Sequence, residues 1–142
     1  MILFHEGGNQ VRFGVNCAND EHAHGVGLVA ELPRALRPAG LPDAATSRLR
    51  LRLDAEPFAP IVVRSTEASP DRWTTFHAAP ADRVAPALPA RLAEAQTLTI
   101  RWFDLPALHF DLAGGTPPVS DFAQKCRTML ARPPIAGTRD DA

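Results

Sequence analysis

The densest group of metal-ligand side chains in this chain is Asp20-Glu-His-Ala-His24. In an extended segment His22 and His24, two apart, project from the same side, and Asp20 or Glu21 could complete a site for zinc, nickel or copper. The plainer reading is a solvated hairpin loop, because a catalytic metal normally draws ligands from several elements; His5 and His77 are the residues that could join it in space. A second group is basic. Arg48, Arg50 and Arg52 alternate with Leu49, Leu51 and Leu53, and Arg64 and Arg101 extend the ladder onto neighbouring segments. Each guanidinium is a fork that can bind phosphate, sulfate or carboxylate bidentately. The competing expectation is that Asp54, Glu56 or Asp111 neutralises the ladder by cross-strand pairing. His109, Asp111 and Ser120 contain the residue types of a hydrolytic triad, but no nucleophile-elbow motif frames Ser120, and the aspartate would stand on the far side of the histidine from it. Ser120 or Thr116 is better suited to capping a helix, with Asp121 favourable in its first turn. Gly114-Gly115 follows a strand but leads into Pro117-Pro118 without a lysine, so no phosphate-binding loop is present there. Two cysteines, Cys17 and Cys126, lie near opposite ends, and neither belongs to a CxxC pair. They are either two buried thiols or one long-range disulfide; a disulfide would imply an oxidising compartment.

The elements that must position these groups are legible in the alternation. Thr97–Trp102 and Ala107–Leu112 alternate apolar and polar residues with period two and are separated by Phe103-Asp-Leu-Pro106. That spacing predicts a hairpin with Leu98, Ile100 and Trp102 on one face and Leu108, Phe110 and Leu112 on the matching one. After Gly114–Pro118 the period changes, and Val119, Phe122, Cys126 and Leu130 form a helical stripe that turns a cysteine toward the core. Near the start, Ile2–His5 and Gln10–Cys17 flank Glu6-Gly-Gly-Asn9, a tight-hairpin sequence, and the alternation of Val11, Phe13 and Val15 aims Cys17 inward. Gly25–Leu32 resumes as a strand whose Gly25 and Gly27 suggest a bulge or a close backbone contact. Pro33–Ser47 reads as a long connection with room for one helical turn. Ser47–Asp54 alternates throughout, so one face of its sheet is solvated and the pairing is antiparallel. Ala59–Ser65 and Asp71–His77 continue the meander, and Asp82–Ala95 shows helical spacing at Val84, Leu88 and Leu92, with Asp82 as the cap. Trp73, Trp102 and the phenylalanines read as packing.

Composition bounds the answer. The 142 residues suit one domain with a real core, and the 14 prolines disfavour a helical bundle. The expected fold is α+β, mainly β: an antiparallel sheet or β-sandwich of seven or eight strands with two short helices, occupying residues 1–131, followed by a disordered tail at 132–142. A formal net charge of −1 gives no general attraction to nucleic acid or acidic lipid. No run approaches the roughly 20 apolar residues that span a bilayer, and Met1-Ile-Leu-Phe4 is too short for the apolar part of a signal peptide. The expectation is a soluble protein, either cytosolic or exported with its signal outside this sequence.

The layout resembles that of exported proteobacterial domains of the invasion-associated locus B type and of the periplasmic VasI-type accessory proteins of type VI secretion. The residues that carry the resemblance are a strand ending in cysteine, Arg12-Phe-Gly-Val-Asn-Cys17; a basic strand ending in aspartate, Leu49-Arg-Leu-Arg-Leu-Asp54; a helix running into a strand across Leu88–Trp102; and Phe110-Asp-Leu-Ala-Gly114 ahead of the segment bearing Cys126. The resemblance implies a periplasmic or secreted domain without catalytic residues or cofactor, stapled by a Cys17–Cys126 disulfide and partnered by another protein of the cell envelope or a secretion system. The leading expectation is therefore a non-enzymatic binding or accessory domain acting through protein contacts or a small anionic ligand. The alternatives are a metal-dependent enzyme or metal-binding protein built on Asp20, His22 and His24, and a cytosolic interaction domain with free thiols.

Overall fold

Eight strands follow from the alternating segments. The computed structural model of the chain describes residues 2–6, 9–21, 23–36, 45–65, 73–78, 84–112 and 119–134. In order these form β1 (Ile2–Glu6), β2 (Asn9–Asn19), β3 (His24–Pro33), a 3-10 turn (Arg34–Leu36), β4 (Thr46–Leu53), β5 (Ala59–Arg64), β6 (Trp73–Ala78), α1 (Leu88–Glu94), β7 (Thr97–Trp102), β8 (Leu108–Asp111) and α2 (Val119–Leu130). The strands make one antiparallel sheet in the order β1-β2-β3-β6-β5-β4-β7-β8. Its two edge strands, β1 and β8, come within 8 Å of each other, so the sheet curls back on itself rather than splitting into a sandwich. The fold is thus α+β and mainly β, as the sequence predicts.

The predicted hairpins form with the predicted faces inward. β7 pairs with β8 in the register Leu98↔Phe110 and Ile100↔Leu108, and all four side chains are buried together with Trp102 and Leu112. From β2 and β3, Val11, Phe13, Val15, Val26, Leu28, Ala30 and Leu32 line the same core, and β4 adds Leu49, Leu51 and Leu53. β4 is central to its half of the sheet, with β5 on one side and β7 on the other. The halves join where β5 meets β6, aligned among the described residues at Arg64↔His77. Gly27 is a close-approach glycine. A Cβ there would stand 2.5 Å from Asn16 Oδ1 and 3.1 Å from the carbonyl oxygen of Ala78.

The two helices pack on each other, and α2 also packs on β2. Leu88 and Leu92 of α1 and Val119, Ala123 and Cys126 of α2 are buried. Cys126 is bonded to Cys17, with their Cα atoms 5.7 Å apart, so the two thiols are not free and α2 is stapled to β2. This closes the choice that the sequence leaves between thiols and disulfide. Beside it, Asn19 Nδ2 donates to the carbonyls of Met129 (3.1 Å) and Pro133 (3.4 Å), holding the end of α2 against the β2–β3 hairpin.

Two expectations need correction. α1 begins at Leu88 rather than near Asp82, and its N-cap is Ala87, whose side chain makes no capping bond. Pro89 sits in the first turn, where its missing N–H is not needed; Pro86 cannot sit further inside a helix at so little cost. Ser120 lies within the first turn of α2 rather than at its cap, with Asp121 beside it as expected. No described helix is long and apolar enough to cross a membrane. The glycine turn at 7–8, the connection at 37–44, the turn at 66–70, Asp82, Thr116 and the tail from 135 onward lie outside the described residues.

Candidate functional site

The alternation of β4 turns Leu49, Leu51 and Leu53 into the core and leaves Arg48, Arg50 and Arg52 on the outer face. Pairing with β7 then sets Arg101 directly opposite Arg50. Directly opposed residues in an antiparallel pair have Cβ atoms about 5 Å apart, and like charges placed so are destabilising. Arg48 is two residues along β4 on the same face, about 7 Å away.

These three arginines line one groove of about 780 Å³. The β7–β8 connection adds Phe103, Leu105 and Ala107, the apolar members of the lining. Ser47 and Asp104 complete the lining, and Asp104 is the one carboxylate among these residues. The carboxylates expected to neutralise the ladder are used elsewhere. Asp54 Oδ1 accepts the backbone N–H groups of Gln96 (2.9 Å) and Thr97 (3.0 Å), and these two bonds hold its carboxyl below the ordinary aspartate value. Glu56 pairs with Arg91. Asp111 lies on β8 opposite Thr97. Arg48, Arg50 and Arg101 make no ion pair with a described carboxylate.

Phe103 of the lining belongs to an aromatic cluster behind the groove. Trp102 is buried, stacks on Phe103 (centroids 5.0 Å apart) and meets Phe76 edge-on at 5.1 Å. Its Nε1 donates to Ser47 Oγ at 3.0 Å, tying the start of β4 to the end of β7. Phe103 holds this stack with φ at 54°, a left-handed backbone that is costly for an aromatic residue. Phe58 fixes the basic side from the other end: the guanidinium carbons of Arg52 and Arg101 lie 4.5 and 5.2 Å from its ring centroid. Cation–π contact of this kind restricts a guanidinium without neutralising it.

The ladder predicted from sequence is therefore divided. Arg48, Arg50 and Arg101 line the groove, Arg101 while also touching Phe58; Arg52 packs on Phe58 without lining it, and Arg64 stands on β5 opposite Thr46, outside the lining. Sequence reasoning passed over Phe58, Phe103, Asp104 and Leu105. Nothing in their spacing marks them: Phe58 follows β4 in the connection to β5 and touches Arg52 locally, and the β4–β7 pairing is what brings it to Arg101 and sets the turn after β7 beside Arg48 and Arg50.

The other candidate groups do not converge in the same way. No group of three metal-ligating side chains occurs among the described residues; His22 lies outside them. Asp20 Oδ1 accepts the N–H of Ala23 at 3.0 Å, and His24 Nε2 is 3.2 Å from the carbonyl of Arg132. His77 pairs with Val29 on β3, five residues from His24 and so about 17 Å along the strand. His109 Nδ1 is 3.3 Å from Thr99 Oγ1, so Thr99 rather than Ser120 is its hydroxyl neighbour. No protein-family model, curated protein or solved structure matches the chain.

Proposed function

We propose that the chain is a non-enzymatic, exported binding or accessory domain that holds an anionic group of its partner on the outer face of β4 and β7. The observation that carries this reading is the convergence of Arg48, Arg50 and Arg101 on one groove with no described carboxylate paired to them. An uncompensated cross-strand arginine pair costs the free protein stability, and a bound anion offsets that cost. The Cys17–Cys126 disulfide supports an oxidising compartment, since such bonds persist chiefly outside the cytosol. The resemblance to locus B and VasI-type periplasmic domains agrees with both points and with a protein partner of the cell envelope or a secretion system.

The test is an NMR titration of the folded, oxidised protein with phosphate, sulfate, citrate and polyglutamate, following the arginine Nε–H and backbone signals. At least one anion is expected to give saturable shifts confined to Ser47–Arg50 and Arg101–Ala107, abolished in the Arg50→Gln/Arg101→Gln double variant. Weak, unsaturable shifts spread over all exposed arginines would show only general charge screening and defeat the reading.

A further inference from the structure

We infer that the arginine groove selects a tetrahedral oxyanion ester, a phosphate or sulfate group carried on a small organic body with an apolar face. This rests on the binding reading above and goes beyond it by naming the ligand's chemistry.

The first ground is the arrangement of the forks. A carboxylate has two oxygens in one plane and satisfies one guanidinium bidentately. A phosphate or sulfate ester presents three terminal oxygens in different directions, so it can engage the facing pair Arg50 and Arg101 and reach Arg48 at the same time. The second ground is size. A bare oxyanion occupies a small part of about 780 Å³; the remaining wall of Phe103, Leu105 and Ala107 is apolar, which suits a ligand body rather than a free ion. The third ground is Asp104. Its carboxylate lines the same groove, so it repels a second anionic group there while accepting a hydroxyl or ammonium hydrogen from the ligand. That disfavours a polyanionic chain and favours a single charged end. Finally, the groove is preorganised. Phe58 holds Arg101, and two further lining residues are tied to the core: Phe103 stacks on buried Trp102, whose Nε1 donates to Ser47.

Calorimetric titration with phenyl phosphate, phenyl sulfate, benzoate and inorganic phosphate tests this. At least one of the two esters is expected to bind about tenfold or more tighter than benzoate and than inorganic phosphate. Arg50→Gln and Arg101→Gln should each weaken that binding by about tenfold, and Arg64→Gln should leave it unchanged. The two esters separate the source of the oxyanion. Tighter phenyl phosphate with affinity rising as pH passes about 6 identifies a phosphate ester, whose second proton leaves there; equal or tighter phenyl sulfate, flat across that range, identifies a sulfate ester. Arg50→Gln should melt no lower than the parent, because it removes a like-charge contact and no ion pair with a described carboxylate; Arg48→Gln replaces either groove variant should it not fold. Benzoate binding as tightly as the esters would overturn the oxyanion assignment while leaving an anion-binding domain in place. Inorganic phosphate matching phenyl phosphate would overturn the apolar body. If folded protein binds none of the four and the polyanion titration is also silent, both readings fall.

Discussion

Asp54 shows how a single residue takes a role that its neighbours do not advertise. By position it ends a basic strand and invites pairing with arginine. Its backbone instead turns left-handed at φ 53°, a conformation aspartate tolerates better than most residues. The carboxylate closes the β4–β7 junction by accepting two backbone N–H groups, while its own N–H donates to the carbonyl of Thr97 at 3.0 Å. Those bonds favour the ionised form and hold the carboxyl below the ordinary aspartate value in the folded chain. A group with a depressed folded pKa contributes stability above its unfolded value and loses it as pH falls through the folded one. Melting temperatures measured from pH 7 downward should therefore fall more steeply below about pH 4 for the parent than for Asp54→Asn, which keeps an acceptor oxygen but cannot titrate. Parallel curves would mean that the carboxylate's charge has no part in holding the junction.

At the scale of elements, β3 is constrained by close approach. Gly27 is buried between β2 and β6, and a methyl group there meets both a side chain and a backbone carbonyl. The Asn16 amide can rotate away; the Ala78 carbonyl is part of the sheet and yields less. Gly27→Ala should destabilise the fold by about 1–3 kcal/mol in denaturant unfolding, with part of the loss recovered in the Asn16→Ala background. An equal loss in both backgrounds would place the whole strain on the sheet. Strand pairing also explains why β4 matters beyond its own length. Its apolar face is the centre of the core's second half, and its basic face becomes a site only when β7 brings Arg101 into register. α1, by contrast, is shortened by its prolines to the stretch that carries Leu88 and Leu92.

For the whole molecule the decisive link is between the ends of the chain. The disulfide joins residues 109 apart and fastens α2, which follows the last strand, to β2 near the first. In the chain-entropy account a cross-link closing a loop of about 110 residues removes on the order of 4–5 kcal/mol of unfolded-state freedom. Reduction should lower the melting temperature by roughly 10 °C or more, and thiol labelling of the unreduced native protein should be nil. A melt unchanged by reductant would show that packing of α2 on α1 and β2 suffices without the staple.

Much of this was legible in the chain. Alternation in β4 and β8, and in β7 apart from the buried outer-face Thr99, decided which side chains meet the core, because successive residues of a strand point to opposite faces. The stripe of α2 and the inward direction of Cys17 followed from the same periodicities, and the two cysteines' positions allowed their pairing without requiring it. Sequence alone could not say which strands are neighbours. Register between β4 and β7, separated by β5, β6 and α1, depends on long-range pairing, and that pairing alone sets Arg101 against Arg50 and folds Phe103, Asp104 and Leu105 over them. It also turned Asp54 and Glu56 away from the ladder, toward backbone amides and Arg91. The arginines were visible from the start as an outward row; that they form a groove is a property of the curled sheet, where contacts distant in sequence decide what each side chain faces.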